Sequence, residues 1–60
     1  MVNLREKRES KGLTQEALAN KVHVTRQAIG NIENGSNKPS VEVAKLIAEE
    51  LEFDWTEFFE

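Results

Sequence analysis

Residues 15–32 read QEALANKVHVTRQAIGNI, and the spacing of small and apolar residues in this stretch decides the fold. Ala17, Leu18 and Val22 follow helical spacing, then Ala28, Ile29 and Ile32 do so again beyond a short interruption at 23–25. Two helices joined by three or four residues cross at a steep angle and must approach closely. Ala19 supplies the small residue that such a crossing needs. Ile29 and Ile32 supply the apolar face of the second helix, and Val24 can fill the gap at the turn. With Ile29 and Ile32 turned inward, the 3.6-residue period turns Arg26, Gln27, Gly30 and Asn31 outward. Arginine can pair bidentately with guanine, and glutamine or asparagine with adenine, along the major-groove edges. Gly30 leaves room for close approach, at about 1 kcal/mol of helix propensity relative to alanine. Exposed helix faces are also polar simply because they meet water, so this face by itself leaves base reading and plain solvation both open.

Working outward, glycines and proline punctuate the chain into five segments that read as helices. The first covers about 3–11, with Asn3 as N-cap and Gly12 as its left-handed stop. The second covers about 15–22 behind the N-cap Thr14, and the third 26–33 behind Thr25, ended by Asn34-Gly35. The fourth covers 41–51 behind Ser40, with Ala44, Ile47, Ala48 and Leu51 as its buried stripe. The fifth is short, about 55–59, opened by a capping-box-like Asp54 and Glu57. No segment alternates with period two, so the expected class is all-α, one domain over residues 1–60.

Composition bounds what such a domain can do. Sixty residues bury only a small core, and with no cysteine and a single histidine neither a disulfide nor a zinc site can reinforce it. No signal peptide or spanning segment is apparent, so the chain reads as soluble and cytoplasmic. The net charge of −3 is unevenly spread. Residues 1–40 carry seven basic and four acidic side chains, and residues 41–60 carry one basic and seven acidic. Phosphate attraction decays over about 8 Å in physiological salt, so the basic portion matters more to a nucleic acid than the total does. No nucleophile–base pair, metal cluster or phosphate-cradling glycine loop occurs, so neither an enzyme nor a cofactor or metal is expected.

The stretch LTQEALANKVHVTRQAIGNIENGSNKPS, Leu13 to Ser40, closely resembles the Cro/CI-type (xenobiotic-response-element) helix-turn-helix regulators of bacteria and phages. T-Q-E-x-L-A, V-T-R-Q-x-I and I-E-N-G-x-x-x-P-S carry the resemblance at their mutual spacings, and it extends from Leu4 to Phe58. It implies a five-helix lambda-repressor-like DNA-binding domain. By position it implies that Arg26, Gln27 and Asn31 contact bases, and that Gln15, Thr25, Asn34, Ser36 and Lys38 contact the DNA backbone. It implies a partly buried ion pair between Arg8 and Glu33 that positions the reading helix. One departure is His23, where the family usually has glycine at a position of positive φ.

The resemblance further implies a repressor that binds an inverted-repeat operator as a homodimer, since one helix reads too few base pairs for useful specificity. The last ten residues hold Leu51, Phe53, Trp55, Phe58 and Phe59, more large apolar side chains than so short a segment easily hides. Phe59, with Trp55 and Phe58, is therefore the expected dimer interface, with Phe59 favoured because Phe53, Trp55 and Phe58 read first as closing the core. No small-molecule effector is expected, because no effector-binding domain follows. The alternative is an antitoxin or other protein-binding module of the same fold, which an adjacent toxin-like reading frame would favour.

Overall fold

Each helix begins where a side chain can replace the missing backbone acceptor. In the computed structural model, which describes residues 2–60, Asn3 Oδ1 accepts from the Glu6 N–H at 3.0 Å and opens α1, Leu4–Ser10. Thr14 Oγ1 accepts from Ala17 at 3.0 Å and opens α2, Gln15–Lys21. Thr25 does the same through Ala28 at 3.0 Å for α3, Arg26–Glu33. Ser40 does so through Val43 at 3.2 Å for α4, Val41–Leu51. A cap of this kind is worth about 1 kcal/mol, a large contribution in helices of two or three turns.

The four helices also end alike. Gly12, His23, Gly35 and Glu52 all adopt the left-handed conformation, with φ of 72°, 62°, 84° and 61°. In each case the next N–H reaches back to the carbonyl five residues earlier: Leu13 to Arg8, Val24 to Ala19, Ser36 to Asn31 and Phe53 to Ala48. This closure satisfies carbonyls that the helix leaves open. At His23 and Glu52 it is made without glycine. A left-handed L-residue carries about 1–2 kcal/mol of steric cost, partly offset by the extra freedom glycine would have when unfolded. His23→Gly is thus expected to stabilise the fold by about 0.5–1 kcal/mol, seen as a higher Tm in a thermal scan. A lower Tm would mean that the imidazole makes a contact outweighing the backbone strain.

The core gathers one apolar face from every element. Leu18, Ile29, Ala44 and Ile47 are fully buried, with Leu4, Ala19, Val22, Leu51 and Phe58 around them. α2 and α3 pack most extensively on each other, with Ala19 at the crossing, and α4 packs on the C-terminal turn. Val24 and Ile32 are half-buried against this core.

The fifth segment spans Trp55–Phe59 as expected, but it is a 3₁₀ helix, giving four α-helices and one 3₁₀ turn. Asp54 accepts from both the N–H and the hydroxyl of Thr56, two residues on, rather than from Glu57 as a capping box requires. These bonds hold the Asp54 carboxyl below the usual carboxylate range. Phe58 is 5% exposed and its ring lies tilted against Phe53 with centroids 5.5 Å apart, so it is part of the core rather than of the exposed surface. Phe59 is 41% exposed. Among the described residues there is no strand, and no helix is long and apolar enough to cross a membrane.

Candidate nucleic-acid interface

The outward face of α3 follows from its inward one. Ile29 is fully buried, and this sets Arg26 and Gln27 into solvent with Asn31 half-exposed beside them. Together with Gly30 and Asn34 these residues line an open concavity of about 410 Å³. A second concavity, of about 560 Å³, adjoins it and shares Arg5, Gln15, Arg26 and Glu33. The result is one continuous polar trough running from the start of α1 across the start of α2 and along α3. Arg26 makes no side-chain hydrogen bond or ion pair among the described residues, so its guanidinium is free to meet an acceptor.

Beneath the trough, α1 and α3 are joined by an ion pair. Arg8 Nε lies 2.6 Å from Glu33 Oε2, and Nη2 lies 3.3 Å from Oε1. The side chains are only 9% and 6% exposed. The Glu33 hydrogen bond raises the Arg8 pKa more than burial lowers it, so the guanidinium stays charged. Its remaining donor Nη1 is satisfied by the Leu13 carbonyl at 2.7 Å. Glu33 also accepts from Gln15 Nε2 at 3.1 Å. One carboxylate therefore ties α1, α2 and α3 together at the trough floor, and it aims the Gln15 amide while leaving that amide a second N–H.

Of the remaining backbone-contact candidates, Asn34 lines the trough, whereas Thr25, Ser36 and Lys38 do not. Thr25 accepts from Ala28 as N-cap, so its hydroxyl hydrogen remains to donate outward. Asn34 Oδ1 accepts from the Ser36 N–H at 2.9 Å and shapes the loop after α3. Ser36 and Lys38 are exposed on that loop, which buried Pro39 anchors. Lys38 lines neither concavity of the trough; it borders two smaller ones beside Ile32 and Pro39.

Arg5 was not among the residues singled out from sequence. Its side chain is 71% exposed, bound only by Glu9 at 3.3 Å, and it lines both concavities. The signal was present: Arg5 precedes Arg8 by three residues, so both lie on the side of α1 that meets α3.

A pair of short helices at a left-handed turn, the second one presenting arginine, glutamine and asparagine to solvent, defines a helix-turn-helix protein. The chain belongs to the helix-turn-helix family HTH_3, whose profile matches residues 4–58. It is 51% identical over 57 residues to the uncharacterized HTH-type transcriptional regulator YqaF of Bacillus subtilis (strain 168), covering 95% of this chain and 75% of that one. It is 50% identical over 48 residues to an uncharacterized HTH-type transcriptional regulator of Methanothermobacter thermautotrophicus, covering 80% and 70%. A crystal structure of an HTH_3 family transcriptional regulator from Vibrio cholerae superposes with a TM-score of 0.78 at 33% identity. That match covers 95% of this chain and 32% of the other, so this chain spans about a third of that protein's length.

Proposed function

We propose that the protein is a sequence-specific double-stranded DNA-binding transcriptional regulator that lays α3 in the major groove. The observation that carries this reading is the outward α3 face, where Arg26, Gln27 and Asn31 surround one concavity with no partner from the chain's own core. Arg26 would pair with a guanine edge, and Gln27 and Asn31 with adenine edges. Gln15, Thr25, Asn34, Ser36 and Lys38, joined by Arg5, would hold the flanking phosphates and so set the helix in register.

The finer reading is a repressor acting as a homodimer on an inverted repeat. Phe59 supports it: exposed, it meets Trp55 edge-on at 6.1 Å, so two aromatic rings form a patch at the acidic end of the chain. Glu57 and Glu60 lie beside it, and their charge would hold this end away from phosphates while α3 faces them.

Selection of bound sites from random duplexes tests the whole proposal. The expected outcome is a short consensus repeated in inverted orientation, with half-site centres about one helical turn apart. A single unrepeated half-site would remove the homodimer, and no enrichment would remove DNA reading in favour of a protein partner. A separate outcome concerns Lys38. Lys38→Ala is expected to weaken binding to all duplexes alike and to make the log–log salt slope shallower by roughly one unit. An unchanged slope in a salt titration would take Lys38 out of the phosphate-contacting set.

A further inference from the structure

A glycine inside a helix is a weak choice, because it has the most backbone freedom to lose and adds no side chain to pack. It is explained within a chain when φ is positive or when a neighbour stands too close for a Cβ. Gly12 and Gly35 have the first reason. Gly30 has neither. It lies inside α3 without a positive φ. A Cβ built on it would meet only the Gln15 Nε2, at 3.7 Å, which is ordinary van der Waals contact with the end of a flexible side chain.

What lies over Gly30 is the trough. Arg26 stands one turn before it and Asn34 one turn after it, with Gln27 and Asn31 beside it, all lining the same concavity. Anything that settles between these polar side chains meets the α3 backbone at Gly30, beside the Gln15 amide.

We infer that Gly30 is a specificity-determining contact in its own right. Its missing side chain lets the α3 backbone approach the base edges at the middle of the half-site about one methyl radius more closely than alanine would allow. Arg26, Gln27 and Asn31 then reach their base edges from that depth. The inference rests on α3 reading DNA and deepens that assignment, because it names the part of the surface that sets the docking distance. It also gives Gly30→Ala opposite effects on folding and on specific binding.

The test uses the full chain, the duplex selected from random DNA, and a random-sequence duplex of equal length. Gly30→Ala is expected to raise Tm by several degrees, about 3–8 °C for a domain of this size. It is expected to weaken binding to the selected duplex by about tenfold, as overpacking of a fitted interface does. Affinity for the random duplex should stay within about twofold, because non-specific binding is carried by phosphate contacts. Three outcomes would overturn the inference. Undiminished affinity for the selected duplex would show that nothing approaches Gly30 closely. An equal loss on both duplexes would place the effect at the phosphates, through a displaced Gln15. A lower Tm would show that the chain itself needs glycine there. The wild-type arm keeps this separate from the underlying assignment: if wild type fails to prefer any selected duplex, DNA reading itself falls.

Discussion

Glu33→Ala is expected to cost about 3–5 kcal/mol of folding stability, the range for stripping one partner from a buried ion pair. The size of the effect comes from what is left behind. Arg8 would keep its charge at 9% exposure with the Leu13 carbonyl as its hydrogen-bond acceptor and the Glu9 carboxylate 4.0 Å away, and Gln15 would lose its anchor. A 60-residue domain has roughly 3–9 kcal/mol in total, so the loss takes at least about a third of it. Urea titration of wild type and variant measures the difference. The companion Arg8→Met/Glu33→Leu removes both charges and should recover most of the loss, since replacing a whole buried pair by apolar groups is often near neutral. A single-variant cost below about 1 kcal/mol would mean that water reaches Arg8 and that the pair does not hold α3 in place. If the double variant folds but binds its duplex less well, the pair's contribution is positional.

Arg26→Ala should leave stability within about 0.5 kcal/mol, as for an exposed side chain with no partner. On the selected duplex it should cost about 1–3 kcal/mol, a factor of roughly 5–150, and relax base preference at one position of the half-site. Affinity for random DNA should fall much less, by the share of one charge. Fluorescence titrations on the two duplexes separate these cases. Equal losses on both would make Arg26 a phosphate contact and would falsify the assignment of α3's first residue as a base reader. Gln27→Ala should follow the same pattern at a neighbouring position.

Much of this geometry was legible before the structure because two periods agree. Ile29 and Ile32 leave one way to seat α3, and Arg26, Gln27 and Asn31 follow from it. The bounds of α3 and α4 were readable from Thr25, Gly35, Ser40 and the buried stripe of Ala44, Ile47 and Leu51. What escaped has a common cause in tertiary packing. Glu52 takes a left-handed φ although nothing local favours it; Phe53 beyond it packs against the core, and the chain must reverse to deliver that ring. Five large apolar residues crowd the last ten, and only the packing shows that Phe58 is the ring that turns inward. Arg5 is exposed on a short helix, and its three-residue spacing from Arg8 gains meaning only once α1 is seen to meet α3. Its place in the trough depends on how α1 meets α3.

The four left-handed closures carry a kinetic consequence. Each helix stop is closed by a bond between residues five apart, and only at Glu52 does the reversal also answer to the packing of the next ring on the core. A chain organised this way has little loop-closure entropy to overcome. Helical domains rich in local contacts refold in microseconds to milliseconds, and the same range is expected here. A molecule that opens while hopping between sites on a duplex would recover its reading surface well within the seconds to minutes that a nanomolar complex commonly lasts.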